Sequence, residues 1–340
     1  MADVSIAILG LGRIGASIGL ALQRYNNSKD AKNHFTITAA DTRPIVVDEA
    51  KDLNVAEKII RKPLDAAREQ DIVVIALPYA EVEALYEYIG DDLREGTVIM
   101  DMSILKTPSL KWAEKYLPSH AHLVGMTPVI NPAYLYDGLE DTQNARADLF
   151  DKGNMLLMPS PTCVTDAVEL ASDFSALLGA TPHFLDPAEH DSLIAATEGI
   201  PALLGTMTFY ILQRGAGWHD AQRLTNSAFG KLTHHLFDTH PDDIRDFFHH
   251  NRDNTLRYLD EMINGLTAFR AILAENDKDA LEATLIEAAD EYKDWVNRRY
   301  RARWEDEDRS IKTPTMGEIM GGAVGGFLTN RFSNKDDDED

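Results

Sequence analysis

Three glycines open the chain at a spacing that seats a pyrophosphate. Gly10-x-Gly12-x-x-Gly15 follows the apolar run from Val4 to Leu9 and leads into a helical pattern at Ile14, Ile18 and Leu22. Gly10 permits a tight turn, Gly12 lets an anion approach the backbone, and Gly15 lets the new helix pack on the strand. The backbone around Gly10, Gly12, Arg13, Ile14 and Gly15, with the helix dipole behind it, then faces a dinucleotide phosphate. A second strand, Phe35 to Ala40, ends in Asp41, 26 residues past Gly15. The usual spacing is about 20, and the polar run from Tyr25 to Asn33 takes up the excess. A carboxylate there accepts hydrogen bonds from ribose hydroxyls and repels a 2′-phosphate, which favours NAD. Arg43, just past Thr42, can stack on adenine or pair with a 2′-phosphate, so NADP stays open.

Proton-handling groups come later. His190 and Glu198 lie eight residues apart on one helix with Ile194 and Thr197 between them, an arrangement that projects them to roughly one side. Glu198 is the first choice for a base that takes a hydroxyl proton and His190 the second. The plainer readings are a His190–Asp191 pair that completes a helix cap and a Glu198 buried against Arg or Lys. Ser103 and Lys106 follow a strand end at Asp101, where a parallel sheet presents polar groups to a cofactor or substrate; the alternative is an N-capping serine and a solvated lysine. Thr127, extended before Pro128, can position a substrate hydroxyl, but an unassisted threonine is a poor base. Arg245, Arg252 and Arg257 suit a carboxylate, because a planar guanidinium binds it bidentately; helix-surface salt bridges are the competing account. The histidines at 234, 235, 240, 249 and 250 lack a tight carboxylate–histidine ligand set, so no metal is expected.

Strands alternating with helices must hold these groups. After the glycine turn come Asp71 to Leu77, Thr97 to Met100, His122 to Gly125, Asn154 to Met158 and Pro182 to Leu185. This predicts an α/β fold with a doubly wound, mostly parallel Rossmann sheet over residues 1–185. The unbroken apolar run before Leu77 and Pro78 marks a strand covered on both faces, with the cofactor at its carboxyl end. From residue 186 only helices are expected, to residue 304. Asp186-Pro187-Ala188-Glu189 starts the first, Pro201 kinks it around 197–201, and longer helices follow over 220–237, 242–276 and 278–303. The extension 305–340 carries a glycine-rich run, 321–326, and an acidic, disordered tail, 336–340.

The chain has 340 residues, 44% hydrophobic and 26% charged, with a formal net charge of −23. Such acidity disfavours nucleic acid and anionic membranes, so an anionic ligand must be held by local donors. One cysteine, Cys163, excludes an internal disulfide and fits a reducing cytoplasm. The first strand begins too early to leave room for a secretory leader, and no apolar run reaches the roughly 20 residues of a membrane span. A cytoplasmic protein is expected.

With these features in place, the chain from about residue 4 to 270 resembles the prephenate and arogenate dehydrogenases of tyrosine biosynthesis. Beyond the glycine turn, the resemblance rests on Asp101-Met-Ser-Ile-Leu-Lys106, similar to the family's D-x-x-S-x-K, and Val124-Gly-Met-Thr-Pro128, similar to its V-G-G-H-P. Leu149-Phe150, Pro159, His190-Asp191, Pro201 and Arg245-Asp246 after Pro241 follow in the family's order. The resemblance implies a Rossmann domain, a helical dimerisation domain, a homodimer, and nicotinamide-dependent oxidative decarboxylation of a small carboxylate substrate. It also implies departures. The family's active-site histidine falls on Thr127, the serine and two histidines of S-H-L-P-H fall on Glu198, Gly199 and Ala202, and an expected arginine falls on His235, which becomes a substrate-binding candidate. The serine of D-x-x-S-x-K falls on Ile104. Either another base serves, or the substrate is another hydroxy or amino acid, or the protein is an NAD-binding sensor without chemistry.

Overall fold

The computed structural model describes residues 2–301. Eight strands, β1 (Ala2–Leu9), β2 (Asn33–Ala40), β3 (Lys58–Ile60), β4 (Ile72–Ile75), β5 (Val98–Asp101), β6 (His122–Val129), β7 (Asn154–Pro159) and β8 (Thr181–Phe184), form one sheet. Their order is β3-β2-β1-β4-β5-β6-β7-β8, parallel except where β7 meets β6. Alternating side chains explain the two layers around it. Ile6 and Ile8 join a core with Ile18, Leu22 and Ile37 on one face, while Ala7 and Leu9 join Val73, Ile75 and Ile99 on the other. The sheet is therefore buried on both sides, as a doubly wound sheet must be. The order reverses between β1 and β4, and the crevice outside their carboxyl ends is where such folds bind ligands.

Two elements escaped the sequence pattern: the three-residue β3 and the short helix Pro63–Ala67. β6 also runs four residues past its expected end, so Thr127 is a strand residue opposite Leu156. In the helical half, Asp186 caps its helix as expected, accepting from the amides of Ala188 and Glu189. Pro201 does not break that helix. A π turn at Ala195–Gly199 carries it through, the Ile200 amide reaching back to the Ala195 carbonyl, and the wider turn accommodates a ring that brings no amide. Pro187–Leu212 is thus one 26-residue helix whose most apolar window has mean hydropathy 1.2, enough to span a membrane by length and composition alone. This corrects the expectation that no run approaches that length.

Further on, the helix expected over 220–237 is three pieces, Trp218–Ala221, Ser227–Thr233 and His235–Asp238. The one expected over 242–276 divides at Asn251 into Pro241–His250 and Arg252–Glu275. Asn251 leaves helical geometry (φ −111°, ψ 28°), and its side-chain amide donates to the Asp191 carbonyl. The last described helix is Lys278–Arg301. The chain forms two compact units that part between Asn254 and Thr255, so the helices from Pro187 to His250 belong with the sheet. In the second unit Leu266, Leu273, Leu285 and Ile286 are exposed apolar residues. The glycine-rich run and acidic tail lie outside the described residues.

Candidate active site

At the glycine turn, backbone contacts dictate the residues. Gly10 has φ +95°, and a Cβ there would lie 2.3 Å from the Ala76 carbonyl oxygen. A Cβ on Gly15 would lie 1.9 Å from the Gly10 carbonyl oxygen. Leu77 and Pro78 follow Ala76 past the end of β4, and a Cβ on Gly10 would lie 2.9 Å from the Leu77 amide nitrogen. Gly12 has open space on its Cβ side up to 4.0 Å, the feature an approaching phosphate needs. Asp41, 2% exposed, accepts the Leu11 amide at 2.9 Å and clamps Arg43 through two side-chain bonds of 2.8 and 3.0 Å. Burial disfavours its charge, but the Arg43 guanidinium and the two amides hold its carboxyl below the usual range. Thr42 turns its carbonyl toward Arg61. The cradle and the acid at the end of β2 fit an adenine dinucleotide, with Arg43 neutralising the acid rather than standing free.

Arg13 does not project toward a ligand. It is buried, with its guanidinium gripping Asp137 at 2.6 and 2.8 Å and the carbonyls of Leu139 and Asn144, and it stacks on Tyr134. Its amide donates to the Glu140 carbonyl at 3.1 Å, and Thr142 bonds the Leu11 carbonyl. Residues 134–144 thus form a strap across the first turn of the helix Arg13–Asn26.

The turn after β5 is closed rather than open to ligand. Asp101 accepts from Ser103, Ser109 and Tyr86. The Lys106 ammonium, completely buried, donates to the carbonyls of Asp101, Ser103 and Met126, and burial lowers its pKa to about 8. Gly125 makes room for its stem, since a Cβ there would lie 3.0 Å from Lys106 Cδ. The Ser103 and Lys106 side chains tie β5 to β6, and the direct ligand contact expected of them has no free atom behind it.

The same turn anchors a polar relay. Asp191 accepts the amides of Lys106 and Thr107, both at 2.8 Å, so its carboxylate caps the helix Thr107–Tyr116. Its Oδ1 also receives His190 Nδ1 at 2.9 Å, which assigns the proton to Nδ1 and leaves Nε2 as an acceptor. Thr127 Oγ1 lies 2.8 Å from that nitrogen. Burial lowers the His190 pKa against the pull of Asp191, so the imidazole is neutral near pH 7. Desolvation pushes Asp191 the other way, but His190 and the two amides keep its carboxyl low. A hydroxyl, an imidazole and a carboxylate in series can move a proton from the partly exposed Thr127 into the protein. Residues 127 and 190 are 63 apart in sequence, and only the strand extension past Gly125 brings them together.

Glu198 belongs to a neighbouring cavity of about 160 Å³ that Tyr79, Ile104, Ala202, His235 and Phe247 help line. Glu198 is exposed overall, and partial desolvation against the cavity wall, with the Glu140 carboxylate acting on it, pushes its carboxyl upward. No hydrogen bond or ion pair joins Glu198 to another described residue, the relay included. Phe247 explains Gly199, since a Cβ there would lie 2.6 Å from the ring. His235 bonds Thr206, and burial lowers its pKa. Arg245 is a surface residue paired with Asp242 and Asp246. Arg252 is 70% exposed beside Asp253 and borders a separate groove with Thr107 and Asn254. Neither arginine lines the Glu198 cavity. Arg257 lies over the ring of Tyr258.

Comparison with known proteins agrees with this geometry. Residues 19–183 match the model of the prephenate dehydrogenase nucleotide-binding domain and residues 186–287 that of the prephenate dehydrogenase dimerization domain. Cyclohexadienyl dehydrogenase of Zymomonas mobilis is 25% identical over 291 residues, covering 81% of this chain and 90% of the relative. Among solved structures, prephenate dehydrogenase from A. aeolicus in complex with hydroxyphenyl propionate and NAD+ superposes with a TM-score of 0.68 at 18% identity, over 86% of this chain and 96% of that one. Synechocystis arogenate dehydrogenase gives 0.63 at 16% identity, over 86% and 100%.

Proposed function

The chain belongs to the prephenate dehydrogenase family, and from that premise we propose that it is an NAD-dependent oxidoreductase carrying out oxidative decarboxylation of a prephenate- or arogenate-like cyclohexadienol. The observation that carries this reading is the series Thr127 Oγ1, His190 Nε2, Asp191 Oδ1, with links of 2.8 and 2.9 Å. It supplies a route for the hydroxyl proton where the family histidine is replaced. Gly10, Gly12, Gly15 and Asp41 hold the dinucleotide, which supplies the hydride acceptor when bound.

Thr127 accepts the hydrogen bond of the substrate carbinol. As the carbinol carbon becomes a carbonyl, Thr127 takes its proton and passes its own to His190. Asp191 stabilises the imidazolium so formed. Loss of the ring carboxyl group as carbon dioxide drives electrons through the ring to the new carbonyl oxygen, and the relay returns its proton to the resulting phenolate. No net proton is released in that sequence. Glu198 stands outside this relay, so we assign the proton to Thr127 and His190 instead.

We further propose that residues 1–185 hold the cofactor, that 186–304 complete the active site and the dimer, and that the protein is a cytoplasmic homodimer. The exposed Met207, Phe209, Ile211 and Leu212 support a partner copy over the long apolar helix. NADH formation across prephenate, arogenate and short hydroxy acids tests the activity. Turnover of a cyclohexadienol supports it, and NAD binding without turnover of any of them refutes it.

A further inference from the structure

The cavity beside the relay has an unusual charge inventory. Among the described residues no Lys or Arg lines it. His235 replaces the arginine that the family resemblance places there, and burial keeps it neutral. Of the two carboxylates on its wall, Asp243 already accepts the Ala80 amide at 2.8 Å. Glu198 has no hydrogen-bond or ion-pair partner among the described residues, and the charge that acts on it, Glu140, has the same sign. The rest of the wall is largely apolar, with Ile104, Ala202, Ile244 and Phe247 among its residues. Two carboxylates and no cation among the described lining residues give the cavity a negative bias, and Glu198, the one without a hydrogen bond, is the group left to meet a cation and repel an anion.

We propose that Glu198 is the seat of a protonated amine on the substrate. The ring substrate then binds as an amino acid, its ammonium on the Glu198 carboxylate and its ring against Phe247 and Ile104. A dianionic keto acid of the same skeleton meets repulsion at the same point. The proposal rests on the family reading for the ring skeleton, whereas the choice of amine over ketone rests on the cavity alone. It also gives Glu198 a role that needs no contact with Thr127.

Two probes isolate the amine: L-tyrosine and hydroxyphenyl propionate differ only by that group. Calorimetric titration of each into the full-length protein at saturating NAD+ reads the contrast without turnover. The wild type should bind L-tyrosine at least about tenfold more tightly, the scale of one charge-assisted hydrogen bond. Glu198→Gln, which keeps size and removes charge, should erase the gap, and Glu198→Lys should reverse it. Equal or tighter binding of the propionate by the wild type, a gap that survives Glu198→Gln, or no binding of either probe overturns the proposal. The family reading fails by a different sign: L-tyrosine is preferred, yet neither amino nor keto cyclohexadienols yield NADH.

Discussion

The glycine cradle and the Glu198 cavity lie in the same compact unit but are built by different means. In the cradle the chain meets its own backbone: Gly10 against Ala76, Gly15 against Gly10. Any side chain there collides, so the residue types are forced and a single sequence displays them. In the cavity, side chains from distant segments face shared space. Glu198 has no hydrogen-bond or ion-pair partner among the described residues, and His235 and Ala202 line the wall where the family resemblance places an arginine and a histidine. Sites made of backbone resist change, whereas sites made of side chains can be refitted for another ligand on the same frame.

The largest effect should come from the relay, where a side-chain site behaves as strictly as a backbone one if the mechanism holds. His190→Ala should lower kcat by roughly 10²- to 10⁴-fold with NAD affinity unchanged, and Thr127→Val should follow it while Thr127→Ser retains most activity. Steady-state kinetics beside NAD titration checks this; a Thr127→Val enzyme with wild-type kcat would break the relay. Gly15→Val comes next. A clash of its first carbon with the Gly10 carbonyl should destabilise the fold by about 3 kcal/mol and weaken NAD binding more than tenfold, measured by urea denaturation and titration. Tolerance of valine would break the contrast drawn above.

Acid sensitivity sharpens the comparison. Burial lowers the native pKa of His190 below its ordinary 6.5, so below about 6.5 the unfolded chain takes up the proton first. Stability should therefore decline as pH falls below that point until the native pKa is passed, whereas kcat/KM should decline only as pH falls through the lower native pKa of His190. Asp191, held low in the native state, adds a second loss further down, as pH drops through its folded value. Denaturation midpoints between pH 7 and 5 test this, and His190→Gln should flatten the upper part. The smallest effect is expected at Asp41. Asp41→Ala frees Arg43 for a 2′-phosphate and should move the NADP-to-NAD preference by about tenfold toward NADP, read from the two dissociation constants.

How much the sequence revealed follows the same division. Gly10, Gly15, Asp41 and the apolar strands were legible because turn geometry and two-sided burial constrain residue type locally. β3 was missed because three residues carry too little periodicity. Lys106 has the local signature of a ligand-facing group, since polar groups at a strand end usually are; its burial depends on Gly125, 19 positions away. Arg13 looked like part of the phosphate turn, and nothing local signals the Asp137 carboxylate that captures it. The Thr127–His190 bond was the costliest omission. Each residue type stands out in the sequence, but their pairing depends on the register of β6 against a helix that begins at Pro187.

The strap has a thermodynamic consequence for the cradle. With the Glu140 carbonyl on the Arg13 amide, part of the anion seat already holds an internal ligand. A dinucleotide that uses this amide binds by exchange rather than by addition. Its apparent affinity is the intrinsic one scaled by the fraction of molecules whose strap is displaced. Changes to Asp137 or Leu139, neither of which need touch the cofactor, would retune that fraction, so the concentration range over which the protein responds to NAD is written partly in a loop outside the glycine motif.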